Sequence, residues 1–426
     1  MNSLKRTLNI GTLSLATIAL CLGVAPAMGA TAATTNSAKH HVALHTKTAV
    51  KKKTIICYKG TAVRHVKAVK PHCPAGWTTK KPASVPADLK AALVEPTMAT
   101  VAKQEHITAL PSPAPTGKNL YYIYAGLGSG QIIQAAFTAA AAAIGWNFHV
   151  LTYSSANPAS IQPLFLQAIN AGANGIAYDG IDVTQISTAL ALAKTDNIPI
   201  ITHFSADAET AANNALFTQH FNNQIDTPAI GKIAGEEIEQ VVGNNSHVVV
   251  VGTNGITTVD VIDQLYQSSI KTGCGQCSVD ILNLPVADFG SANDNADIIS
   301  YLRLNPKTNF VFFSYGLSES NLRSALNNAG FSKVRIGGNS ANPSNNAELV
   351  YGADSFWIQE PYWYVAWLDV NSFAESMEGG NIAAQSTFAY PVWLTTKGHI
   401  KFNVTTTPIW PLGMEKTFLT DWHVAS

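Results

Sequence analysis

Residues 121–137, YYIYAGLGSGQIIQAAF, set an apolar strand directly ahead of three glycines and an alanine-rich helix. A strand that turns through glycine into a helix raises the question of a nucleotide site, and the spacing answers it. A dinucleotide fingerprint needs G-x-G-x-x-G and an acidic residue about 20 positions on for the ribose. Here Gly126, Gly128 and Gly130 give G-x-G-x-G, and the next strand, NFHVLTYSS, ends in Tyr153, Ser154 and Ser155 with no carboxylate. A phosphate loop, G-x-x-x-x-G-K-[ST], is absent as well. The glycines are therefore expected to let the first strand turn closely into its helix at the mouth of a cleft, either as a tight turn alone or in contact with a ligand.

Outward from this stretch the pattern of strand, helix, strand repeats. Strands read at GIAYDG, IPIITHF, ALFTQHF, HVVVVGT, VDILNLP, FVFFSYG and KVRIGGN, with helices such as 132–144, 161–171, 183–196 and 227–241 between them. Continuous β-branched runs separated by amphipathic helices mean parallel strands covered on both faces. Ligands in such sheets sit beyond the carboxyl ends of the strands. The 426 residues, 46% hydrophobic and 13% charged, allow one or two sizeable cores, so two lobes with extra segments are expected.

The flanks carry different information. Residues 1–32 combine Lys5 and Arg6, an apolar run from Leu13 to Val24 and small residues at Ala30-Thr31-Ala32, the pattern of a signal peptide, so the chain is expected to be exported to the cell surface, periplasm or medium. Cys21 falls inside that signal, preceded by Leu20 where a lipid-attachment signal wants a small residue. No later stretch is long and apolar enough to span a bilayer. Residues 33–53, rich in Thr, Ala, Lys and His, are expected from composition to be a disordered basic tract. Residues 54–81 form a small basic module with turns at Lys59-Gly60 and Pro74-Ala75-Gly76, bridged by Cys57 and Cys73. Cys274 and Cys277, in C-G-Q-C, follow a helical stretch rather than opening one, which favours a structural disulfide over a redox pair. Between Lys39 and Lys81 there are eleven Lys and Arg residues and no acid; all 27 acids lie downstream. A basic arm outside the cell suits an anionic wall polymer or lipid head groups, or acts as a solvated spacer; nucleic acid is not expected, since no recognition motif accompanies the charge. Residues 82–117 read as a Pro-rich linker with one helical patch at 87–94.

Several phrases together resemble the sugar-binding proteins of the type I periplasmic-binding fold, the ribose- and galactose-binding group. LQAINAGANGIAYDGID (166–182) is similar to that family's helix and third strand, NIPIIT to its fourth, and GKIAGEEI (231–238) to the helix opening its second lobe. VADFG (286–290), SYGLSESNLRSALNNAG, RIGGNS and WIQEP (357–361) follow in the family's order, over about 118–395. The resemblance implies two doubly wound parallel-sheet lobes joined by a three-stranded hinge, preceded here by the small disulfide-pinned β segment. It places lobe 1 at 118–222 with 360–387, lobe 2 at 223–359 with 388–400, and leaves 401–426 as a C-terminal extension expected to pack across the lobes. It further implies a small sugar-like ligand presented to ABC permease subunits, with no cofactor. A second reading keeps the fold without transport, as a wall-associated interaction or sensor protein.

The family's binding positions carry over in part. Its Asn and paired Phe after strand one become the 126–130 loop with Ser129. Its Asp-Arg after strand four becomes Phe204-Ser205, with His203 just before. An Arg of the second lobe falls at Ile262-Asp263, Asn-Asp becomes Tyr315-Gly316, and an Asp becomes Asn339; Phe289 and Gln359 are retained. Sugars are held by planar charged side chains against vicinal hydroxyls and by aromatic faces against C–H surfaces. The remaining polar set, Asp179, His203, Asp263, Asn339 and Gln359, suits a neutral or weakly cationic polyol or sugar. Phe204, Phe289, Tyr315 and Trp363 offer rings for a larger apolar body. An enzyme is not expected: neither G-x-S-x-G nor H-E-x-x-H occurs, no metal ligand set is evident, and the Asp179/Asp182 spacing suits one site residue and one helix cap.

Overall fold

The structure, a computed structural model, describes residues 51–59, 62–77, 79, 85–126, 128–154, 157–207, 210–254, 257–285, 291–316, 319, 321–378 and 390–424. The chain divides into two units, with the boundary after Pro82. The first is an antiparallel hairpin of β1 (Lys53–Lys59) and β2 (Ala62–Ala68), with Cys57 joined to Cys73 by a disulfide across 16 residues.

The second unit opens with α1 (Ala87–Ala92) and α2 (Met98–Gln104). It continues through β3 (Asn119–Tyr124), α3 (Gly128–Ala143), β4 (Asn147–Thr152), α4 (Ile161–Asn170), β5 (Gly175–Asp179), α5 (Ser187–Thr195), β6 (Ile200–Ser205), α6 (Ala211–Asn214) and β7 (Gln219–Asn222). Then come α7 (Asn223–Val242), β8 (His247–Asn254), α8 (Thr257–Gly273), β9 (Ser278–Pro285), α9 (Ala292–Leu304), β10 (Phe310–Phe313), α10 (Leu322–Asn328) and β11 (Arg335–Gly338). The last elements are α11 (Pro343–Tyr351), β12 (Phe356–Gln359), α12 (Tyr362–Met377), β13 (Trp393–Thr396) and α13 (Met414–Asp421). Among the described residues no helix is long and apolar enough to cross a membrane.

Two sheets result. Lobe 1 has the order β4-β3-β5-β6-β7, all parallel; lobe 2 has β9-β8-β10-β11-β12, parallel in the same winding, with β13 antiparallel on its edge. The apolar runs explain why both faces are covered, because successive side chains leave a strand on opposite sides. In HVVVVGTN, Val248 and Val250 join Phe310 and Phe312 in one core with Ile233 and Ile270 of α7 and α8. Val249 and Val251 join Val311 and Phe313 in the other, with Ile298 and Leu326 of α9 and α10. The disulfide Cys274–Cys277 closes the end of α8 just ahead of β9.

The chain passes between lobes after β7, after β12 and between Glu378 and Tyr390; most of that last passage, 379–389, lies outside the described residues. After the second passage α12 packs on α3, and residues 364–375 are all buried. Such burial all round is possible because the flanking segments cover the helix. Trp422 stacks on Trp367 of α12, and Phe418 of α13 packs beside both. Trp410 lies edge-on to Trp393 of β13, so the C-terminal extension touches both lobes.

Residues 85–117, read from the sequence as part of a linker, are not a free one. Leu89 and Ala92 sit in the core of lobe 2, and Met98, Val101 and Leu110 in the core of lobe 1. Apolar residues between the prolines gain more from burial than a solvated spacer would. This N-terminal strap meets the C-terminal one: the Met98 amide donates to the Leu412 carbonyl and the Leu412 amide to the Pro96 carbonyl, both at 2.9 Å. Beneath it Tyr364 donates its hydroxyl to buried Glu105.

Candidate functional site

A cavity of about 210 Å³ lies between the lobes at the carboxyl ends of both sheets. The glycine loop after β3 forms one lip. Gly126 takes φ +74°, a conformation that favours glycine, and a Cβ on Gly130 would stand 2.1 Å from the Tyr124 ring. The missing side chain lets the first turn of α3 close over Tyr124, so that Ser129 reaches the cavity. Tyr315, after β10, donates its hydroxyl to Ser129 across the cleft. A second bond crosses nearby, from the Thr258 hydroxyl at the start of α8 to the Gly180 carbonyl after β5, at 2.9 Å. The cleft is thus closed by direct bonds from lobe to lobe.

β6 ends in an irregularity that separates two neighbouring side chains. Its pairing with β7 shifts register between Thr202 and Ser205, and Phe204 adopts φ +55°. Such a bulge re-aims side chains. Phe204 turns into the cavity, edge-on to Tyr362 at 5.9 Å. His203 turns the other way and is fully buried between Asp179 at 2.7 Å and Asp369 of α12 at 3.3 Å. Burial alone would lower the His203 pKa, but the two carboxylates outweigh it and raise it to about 10. Asp179 also accepts the Tyr122 hydroxyl at 2.5 Å, and it lines the cavity. Asp182 caps the short turn that follows, accepting from the Thr184 amide at 2.9 Å.

On lobe 2, Asn339 and Ser340 follow β11, with Ser340 at φ +59°. The Asn339 amide donates to Glu360 Oε1 at 2.5 Å and the Ser340 hydroxyl to the same oxygen at 3.5 Å. Burial raises the Glu360 pKa, and those two donors oppose the rise. Thr258, Val259, Ile262 and Tyr266 recur along one face of α8 and line the same space, with Asn223, Thr227 and Ile230 of α7 beside them. Among the described residues no cluster of three or more His, Cys, Asp or Glu is arranged to hold a metal ion.

Of the positions singled out in the sequence, Ser129, Asp179, Phe204, Tyr315 and Asn339 line the cavity. His203 does not; it lies behind Asp179, because the bulge sends it into the core of lobe 1. Asp263 does not either: it is buried against Gly252, whose added Cβ would meet its Oδ2 at 1.6 Å, next to Ser314 and the Thr253 amide. Gln359 faces away, bonded to Asn346 at 2.7 Å and Thr395 at 2.9 Å, and ties β12 to α11 and β13. The residue after it, Glu360, is the one that reaches the cavity, since a step of one along a strand changes sides. Trp363 donates to Glu415 at 3.0 Å and is likewise outside the cavity. Phe289 lies outside the described residues. Sequence reasoning missed Tyr124, Tyr153, Tyr266, Glu360 and Tyr362. A signal for Tyr266 was present in its i, i+4, i+8 spacing from Thr258 and Ile262.

Two lobes of one winding, with a cavity between their strand ends, are the architecture of two-lobed periplasmic-binding folds. The family model described as "Periplasmic binding protein domain" matches residues 121–368, and the chain belongs to that family. Its fold is the type I fold of the sugar-binding ABC transporter proteins. It is similar to the 5-methylthioribose transporter solute-binding protein of Thermotoga lettingae, at 13% identity and TM-score 0.59, over 72% of this chain and 99% of that one. A solute-binding protein of Actinobacillus succinogenes with bound D-allose aligns at 15% identity and TM-score 0.57, over 66% and 98%. A glucose-galactose binding protein of Geobacillus stearothermophilus aligns at 14% and 0.57, over 68% and 100%. At these identities the likeness is one of fold. No curated protein matches the chain.

Proposed function

We propose that the chain is an exported solute-binding protein that captures a small sugar-like or polyol molecule between its lobes and delivers it to the permease subunits of an ABC importer. The observation that carries this reading is the closed cavity, with Asp179 from lobe 1 and Asn339, Ser340 and Glu360 from lobe 2 on its walls. Ligand contacts on both lobes favour the closed form by their differential affinity for it, and the passages after β7 and β12 are the natural hinge points. Ser129, Asp179, Phe204, Tyr315 and Asn339 are the contacts proposed from the sequence, with Glu360 and Tyr362 added from their place on the cavity wall. His203, Asp263 and Gln359 act behind them. Nothing in the relatives supports the anionic wall polymer expected for residues 39–81.

Thermal shifts of the purified chain against pentoses, hexoses, polyols, amino-sugars and nucleosides test the reading. A saturable rise with a polyol or sugar is expected, because a ligand stabilises the state that binds it. A well-folded sample that responds to none of them would contradict it.

A further inference from the structure

The cavity wall is unevenly built, and the unevenness bears on the ligand. Of the α8 residues that face inward, Thr258 has its hydroxyl engaged by the Gly180 carbonyl, Val259 and Ile262 have no polar side-chain atom, and Tyr266 brings a single phenol hydroxyl one turn further on. Ile230 of α7 extends the Val259–Ile262 strip, while Asn223 and Thr227 of the same helix bring polar groups beside it. A sugar hydroxylated on every face would press hydroxyls against this strip with no partner, and unpaired buried polar groups are costly. The acids on the wall have no basic side chain beside them there; His203, the cation paired with Asp179, lies behind it. Asp179 and Glu360 line the cavity, and among the described residues no Lys, Arg or His does. A phosphate or carboxylate ligand would enter a water-poor space facing carboxyl groups with no cation to meet it.

Resting on the solute-binding reading above, we infer that the ligand is an uncharged or cationic sugar or polyol carrying an apolar substituent, an alkyl glycoside in chemical class. Its hydroxyls meet Asp179 and the Asn339–Glu360 pair, and its alkyl arm lies on Ile230, Val259 and Ile262. Each methylene placed on that strip strengthens binding about fourfold.

The test is calorimetric titration of the full chain with matched sets of D-ribose, D-glucose and D-galactose. Each is used as the free sugar, the methyl glycoside, the propyl glycoside and the phosphate ester, with 1-propanol as the bare arm. For the sugar that binds, the propyl glycoside is expected to bind about 15-fold more tightly than the methyl glycoside, and the phosphate ester at least tenfold more weakly than the free sugar. Ile262→Thr removes most of the propyl advantage, bringing the propyl and methyl glycosides within about fourfold of each other. A free sugar or phosphate ester that binds as tightly as the propyl glycoside overturns this inference while leaving the solute-binding reading intact. If 1-propanol binds as tightly as the glycosides, or no sugar in any form binds a chain shown folded by circular dichroism, the sugar reading itself fails.

Discussion

Replacing His203 with alanine probes the most heavily buried charge cluster next to the cavity. The imidazole stands 2.7 Å from Asp179 and 3.3 Å from Asp369, and neither His203 nor Asp369 has any exposed side-chain surface. Its removal leaves two carboxyl groups facing each other with no cation between them. Breaking a buried pair in this way costs about 3–5 kcal/mol. For the unit from Ala83 to Ser426, an unfolding entropy of roughly 2.1 cal/mol/K per residue amounts to about 0.7 kcal/mol/K, so Tm falls by roughly 4–7 °C. Scanning calorimetry at pH 7 reads the shift, and a double variant with Asp369→Ala falls short of the sum of the two single effects by about 1 kcal/mol or more. The His203 pKa is raised to about 10, so its contribution is fully present below the unfolded value near 6.5 and is lost as pH rises through about 10. The gap between wild type and His203→Ala therefore narrows above pH 10. A variant that melts within about 1 °C of wild type at pH 7, or effects that add, would refute this account of the cluster.

Other buried acids set the response of the whole unit to pH. Burial raises Glu105 and Asp226 to about 8, and Asp263 and Asp354 to about 7. The folded chain holds protons there that the unfolded chain releases, so this stability is present below the unfolded values near 4 and is lost as pH rises through 7 to 8. Tm is accordingly higher at pH 5 than at pH 9, and a flat or rising profile would count against it. Gly252→Ala drives a methyl into the Asp263 carboxyl and lowers stability by about 1–3 kcal/mol in a denaturant melt. Tyr315→Phe deletes the bond to Ser129 across the cleft, and ligand affinity measured by titration drops about two- to tenfold with Tm nearly unchanged.

The two lobes were legible because their strands are continuous apolar runs and their helices are periodic, signals that survive without any tertiary knowledge. The glycine loop was legible as a close turn but not as the support for the Tyr124 ring, which depends on a contact within three dimensions. The site was half legible for the same reason. Positions at strand ends, such as Asp179 and Asn339, could be placed near the cleft from topology. Which of two neighbours enters the cavity turned on a bulge at His203-Phe204 and on the last residue of β12, where Gln359 and Glu360 exchange roles. Composition hid the packing of residues 85–117, since proline frequency reads as linker while Met98 and Val101 are core residues.

The central claim is that a ligand draws the lobes together over this cavity. Cysteines introduced at exposed Lys194 on α5 and Asp297 on α9 carry one spin label on each lobe. The distance between them is measured by double electron–electron resonance, with and without a compound that gives a saturable thermal shift. The account predicts that ligand gathers the distribution into one shorter distance, matching the closed form with its Ser129–Tyr315 and Thr258–Gly180 bonds. A distribution unchanged at saturating ligand would contradict it.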